Sequence, residues 1–237
     1  MQCNTKGVHI ARPQRGYVNL KFFKFFRFFL FTVFVFSKTS YANNIAPFQH
    51  PFYIGASGGY GSTTWGGLVP SKENENSAVS MSTPIAANEG GTVWGAFAGY
   101  EFSPYFALEF NYQHFPDATV SFDETSFFSF THDGLESFTT KTETANIMAK
   151  IMLIIPNTNV RLYSSAGVAR VYRDDLINDD WHVGPTFGVG VNYHVFEHLM
   201  AEINANYTAG FGESQLDPAE TYYPFLYSVT ARLAYCF

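Results

Sequence analysis

Six histidines lie beyond residue 42, at positions 50, 114, 132, 182, 194 and 198, and they are the first residues to test for chemistry. A hydrolase or acyl transferase would need a serine or histidine set against partners within hydrogen-bond reach. The spacing offers no such set. His194 and His198 are four apart, but a turn separates them, so the helical metal-ligand spacing does not apply. His132-Asp133 is a loop dipeptide with no nucleophile beside it. Asp174, Asp175, Asp179 and Asp180 form an acidic group without the glycine-punctuated spacing of a calcium loop, and their expected role is loop solubility. Cys236 has no metal-ligand or nucleophile pattern around it and reads as a small inward-facing residue. No catalytic residue, metal ligand or cofactor-binding residue is assigned, and the chain is expected not to be an enzyme.

The charges that do form a pattern are Glu101, Glu109, Lys150, Arg161, Glu202 and Arg232. Each falls on the polar face of a segment whose other face is apolar. Three acids and three bases on polar faces can pair across a narrow interior, and buried charges require such partners. A salt-bridge network filling a lumen is therefore expected. The alternative is that some of these residues merely face water at the rim, and Glu101 and Arg161, close to turns, are the first candidates for that.

The elements that would position these residues are strands. In 106–113, Phe106, Leu108, Phe110 and Tyr112 oppose Ala107, Glu109, Asn111 and Gln113. The segment 186–195 sets Phe187, Val189, Val191, Tyr193 and Val195 against Thr186, Gly188, Gly190, Asn192 and His194. The period of two also runs through 146–153, 201–209 and 225–237. Eight strands are predicted, at 51–64, 91–103, 105–116, 141–155, 160–172, 185–196, 199–211 and 225–237. Each is about as long as the 9–11 residues of a tilted membrane strand.

The links carry a second regularity. Tight turns are expected at 102–105, 156–159 and 196–199, and long links at 65–90, 117–140, 173–184 and 212–224. Short and long alternate, as in an outer-membrane barrel with short periplasmic turns and long outer loops. Two aromatic belts are expected: Phe102, Phe106, Tyr193, Tyr235 and Phe237 near the short turns, and Trp65, Trp94, Tyr172, Tyr207 and Phe211 toward the long loops.

The first 42 residues hold seven basic and no acidic residues, then the apolar run FFLFTVFVF at 28–36 and small residues at Ser40 and Ala42. This pattern is a secretory signal peptide. The run is well short of the ~20 residues of a membrane helix. The two domains expected are thus 1–42, signal peptide, and 43–237, barrel. Of the 14 basic and 20 acidic residues, the mature part keeps 7 basic and all 20 acidic, a formal charge of −13 that argues against nucleic acid as a partner.

The chain resembles the opacity-protein-like, OmpA-type family of eight-stranded outer-membrane barrels. The runs FYIGASGGY at 52–60, GAFAGYEFSPYFALEFNY at 95–112, GVGVNY at 188–193 and the last strand carry the likeness. The resemblance implies an all-β, eight-stranded antiparallel up-and-down transmembrane β-barrel in the Gram-negative outer membrane. It implies a sorting signal in Leu233, Tyr235 and Phe237, and contact with outer-membrane lipid, lipopolysaccharide and the barrel-assembly machinery. It also implies a monomer whose four acidic loops could meet a host or surface ligand. A narrow channel and, less favoured, a membrane-embedded lipid-modifying enzyme stay open as alternatives.

Overall fold

A computed structural model of the protein describes residues 50–69, 84–123, 135–212 and 222–237. The expected signal segment and the loop stretches 72–76 and 213–220 lie outside them, as does most of 117–136. Among the described residues are ten strands: β1 (Phe52–Ser62), β2 (Ala86–Asn88), β3 (Gly91–Ser103), β4 (Phe106–His114), β5 (Ala118–Ser121), β6 (Ser137–Ile154), β7 (Val160–Asp174), β8 (Asp179–Phe196), β9 (Leu199–Thr208) and β10 (Leu226–Cys236). Eight of them form a ring in the order β1, β3, β4, β6, β7, β8, β9, β10, and β10 pairs back onto β1. Every pairing is antiparallel. Closure leaves the ring no open edge, which is what lipid demands of a sheet.

The register fixes the size of the ring. Directly opposite residues run Phe52, Tyr100, Leu108, Ala149, Ala166, Phe187, Tyr207, Tyr227 and arrive at Ser62, ten residues along the strand from which they started. Eight strands with that stagger tilt by about 40°, and their interior is just wide enough for side chains to fill. Height along the axis therefore climbs as one follows a row of paired residues from β1 toward β10.

The alternation read from the sequence is physical inside-outside alternation. Phe110, Ile147, Val189, Ile203 and Val229 are exposed, whereas Glu109, Asn111, Met148, Asn204 and Thr230 are buried. Apolar side chains on the outside and polar ones inside is the pattern of a wall that faces lipid.

Three expectations are corrected. The links 65–90 and 117–140 contain β2 and β5, which pair with each other and with the outer end of β6 to make a flap above the ring. The link 173–184 is a hairpin: β7 and β8 continue past the membrane and pair as far as Asp174 and Asp179, leaving only a four-residue turn. Their outward positions there carry Asp174, Asp179 and Trp181, so the apolar period that marks a strand fades while the ladder persists. Trp65 does not join an outer belt. It begins a short 3-10 turn, Trp65–Leu68, and is 1% exposed, packed on Phe138 and Tyr222.

Candidate functional site: the filled lumen

Inward positions of β1, β4, β6, β7, β9 and β10 converge in the periplasmic half of the ring. Glu202 and Arg232 are opposite each other on neighbouring strands. Lys150 reaches both acids, 2.9 Å from Glu109 and 2.9 Å from Glu202. Arg232 also reaches both, through Nη2 to Glu109 Oε1 at 2.8 Å and through Nη1 to Glu202 Oε1. Tyr53 donates to Glu109 at 2.8 Å, and Tyr163 donates to Glu202 at 2.5 Å. All four carboxylate oxygens thus have donors. Two acids and two bases cancel, and the phenols add hydrogen bonds without charge. Buried ions are tolerated only when their charges and lone pairs are answered in this way.

Aromatic faces complete the cluster. The Lys150 ammonium lies 4.0 Å from the Tyr163 ring centroid, and the Arg232 guanidinium carbon 3.6 Å from that of Phe97. Glycines make this packing feasible. Tyr53 is directly opposite Gly99 and Tyr163 directly opposite Gly190. A Cβ on Gly99 would stand 2.2 Å from the Tyr53 ring, and one on Gly190 2.4 Å from the Tyr163 hydroxyl. Each phenol lies across the wall at a place where only a bare backbone leaves room.

Glu101 and Arg161 form a separate pair nearer the periplasm. Arg161 holds Glu101 through two bonds of 2.7 and 2.8 Å, and its Nε donates to Asn192 at 3.0 Å. Glu101 is 5% and Arg161 8% exposed, so both are buried in the lumen and the rim alternative does not apply to them. The six charged residues thus divide into a group of four and a pair, because the climb of the register puts Glu101 and Arg161 lower than the rest.

Above the ion cluster come Asn111, Asn146, Asn204 and Thr230, then Thr144, Thr186, Thr208 and Ser228. Asn111 donates to Asn146 at 3.0 Å and accepts from Arg232 at 2.8 Å, tying this layer to the charges. Higher still the interior turns apolar, with Val93, Phe115, Val171, Tyr223 and Leu226 packed together. Burial raises the Tyr223 phenol above its ordinary range. Outside them Trp65, Leu68, Val120, Phe138 and Tyr222 form a cap under the flap. Arg173, fully buried, joins cap to wall: it pairs with Asp175 at 2.6 Å, donates to the Tyr222 carbonyl at 2.6 Å and faces the Trp65 ring at 4.8 Å.

The phenols, the glycine clefts and the cap were not singled out in the sequence. Tyr163 shares its face with Arg161, and that spacing was a usable signal. The cap had none, since its residues come from three separate links.

The four aspartates of the outer hairpin each meet a different partner. Asp174 lies 4.0 Å from Lys141, Asp175 binds Arg173, Asp179 accepts from Tyr172, and Asp180 from the Trp181 backbone at 2.7 Å. Among the described residues no group of three or more histidine, cysteine or acidic side chains could hold a metal. His194 lies 3.4 Å from Arg161, while His198 contacts the Cys236 carbonyl at 2.9 Å and stacks on Tyr235. The closed ring, apolar outside and polar inside, agrees with the family described as outer membrane protein beta-barrel domain, which matches residues 28–235.

The chain belongs to that family. Its place is the Gram-negative outer membrane.

Solved structures with similar folds include the N-terminal β-barrel domain of Pseudomonas aeruginosa OprF, with 13% identity, a TM-score of 0.45, and 80% of this chain and 98% of that one covered. Neisserial surface protein A, NspA, has 14% identity and a TM-score of 0.46, with 78% and 97% covered. OprG from Pseudomonas aeruginosa has 13% identity and a TM-score of 0.47, with 79% and 96% covered. No curated protein matches the chain.

Proposed function

We propose that this barrel is a closed scaffold that presents its outer hairpins and loops to other surfaces. The supporting observation is the double filling of the lumen: the ion cluster of Glu109, Lys150, Glu202 and Arg232 below, and the apolar cap around Trp65 above. A solute would have to break both layers, so transport is disfavoured. On a rigid frame function then falls to the loops. Their described parts hold Asp117, Asp123, Glu136, Asp174, Asp179 and Asp180, which suits basic or cation-bridged partners.

The reading includes a mature chain of 43–237 released from the signal segment 1–42. It also includes delivery by the barrel-assembly machinery through Leu233, Tyr235 and Phe237, and a monomeric state. Two measurements test the central claim. Cells displaying the wild-type barrel should bind immobilised host or bacterial surfaces more than cells whose 70–83 and 213–221 loops are replaced by short Gly-Ser links. The purified protein should show no stepwise conductance in planar bilayers. Equal binding by both cell types, or regular conductance steps, would overturn it.

A further inference from the structure

Facing outward in the ring, the charged residues Lys141, Glu143, Arg170, Asp174 and Asp179 all lie on β6, β7 and β8, toward the outer ends of these strands. Their acids are already engaged. Glu143 accepts from the Tyr112 hydroxyl at 2.8 Å and meets His114 at 3.4 Å. Asp174 lies beside Lys141, and Asp179 accepts from Tyr172. Arg170 is different. It is exposed, its opposite neighbours are Ala145 and Val183, and among the described residues no carboxylate lies within ion-pair distance of it. Its one close partner is the Trp181 ring, 4.6 Å away.

Allowing for the climb of the register, Arg170 stands level with Tyr60, Trp94, Tyr207 and Tyr227, the outer aromatic belt. That is the headgroup level of the outer leaflet. Trp181 and Tyr172 rise above it, their rings tilted against each other with centroids 4.7 Å apart. A guanidinium without a carboxylate at this height is open to an anion from the membrane itself, and its planar fork matches phosphate. The aromatic shelf above it offers flat faces to a sugar, whereas a plain phospholipid carries no sugar to use them.

We propose that the outer face of β7 and β8 binds the phosphorylated headgroup of an outer-leaflet glycolipid, with Arg170 holding the phosphate and Trp181 and Tyr172 the sugar. The site depends on the barrel's place in the membrane and not on any ligand of the loops.

The test uses the intact barrel in phosphatidylcholine nanodiscs doped with lipid A, followed by native mass spectrometry of the lipid retained on release. Wild type should keep lipid A, and Arg170→Gln should lower retention about tenfold, the scale of one lost hydrogen bond to a charged group. Arg170→Lys should fall between them, since it keeps the charge and loses the fork. Phosphate-free lipid A and phosphatidylglycerol, offered to the wild-type protein, probe phosphate and sugar without any mutation. Both should be retained less than lipid A. Equal retention by wild type and Arg170→Gln, or of phosphate-free lipid A, would remove the phosphate site. Equal retention of phosphatidylglycerol would remove the sugar contact.

Discussion

Glu202 and Arg232 face each other directly on β9 and β10, yet each spends half of its bonding capacity on a partner elsewhere in the lumen. Arg232 reaches over to Glu109, and Glu202 to Lys150. A simple cross-strand ion pair would staple two strands. This one ties β4, β6, β9 and β10 into a single closed circuit of four charges.

Cutting that circuit should be costly and non-additive. Arg232→Ala is expected to destabilise the barrel by about 3–5 kcal/mol, because it leaves two desolvated carboxylates short of a donor. Adding Glu109→Gln should recover part of the loss. Urea unfolding in lipid vesicles, run as a double-mutant cycle, measures the coupling. Strict additivity would mean that the two side chains do not interact in solution.

The Tyr-Gly crossings predict a steric penalty where sequence alone suggests a harmless change. Gly99→Ala should destabilise by about 1–3 kcal/mol through overpacking. Tyr53→Leu in the same chain should relieve part of it, since the ring is the atom group in the way. The same unfolding assay reads both, and a neutral Gly99→Ala would show that the ring has room to move.

Phe237 is tied into the ring. Its N–H donates to the Phe52 carbonyl at 2.8 Å, and its side chain packs against Phe52 and Tyr235. Deleting it should lower the amount of folded protein in the outer membrane, whereas Leu176→Ala, in the exposed outer turn, should not. Immunoblots of outer-membrane fractions compare the two. Equal levels would argue against a sorting role for Leu233, Tyr235 and Phe237.

The two lumen closures should be redundant for conduction. Trp65→Ala loosens the cap and Glu202→Gln loosens the ion cluster, but each leaves the other layer across the bore. Only the double variant is expected to show current in planar bilayers. Steps from either single variant would mean that one layer alone is the seal.

A closed hydrogen-bonded ring should also resist detergent. Unboiled protein extracted from membranes should migrate differently in SDS gels from boiled protein, since every strand of the ring is bonded on both sides. Identical mobility would count against the ring.

The wall was legible in the sequence because lipid and lumen impose opposite demands on alternate residues. Phe110 and Glu109 cannot exchange faces, so the period of two survives in 106–113, in the membrane part of β8 and throughout β9 and β10. The placement of the six lumen charges followed from that period. Their division into four and two did not, because depth depends on the ten-residue climb around the ring, which no single strand reveals. Beyond the membrane the demand disappears. Water accepts Asp174 and Trp181 alike, so the extension of β7 and β8 left no periodic trace, and a hairpin read as a loop. Trp65 misled for a related reason: an aromatic residue near a strand end suits a lipid belt and a buried cap equally well.

The continuation of β7 and β8 past the aromatic belt has a mechanical consequence. From Arg170 to Asp174 the paired strands rise by about 10 Å along the axis, at a rise of roughly 3.3 Å per residue and the tilt of the ring. Over that distance the hairpin is braced by β6 on one side and anchored at its tip by Arg173 and Asp175. It behaves as a short mast and not as a tether. Whatever meets the turn around Leu176 does so at a fixed standoff from the bilayer, and the load passes straight into the wall.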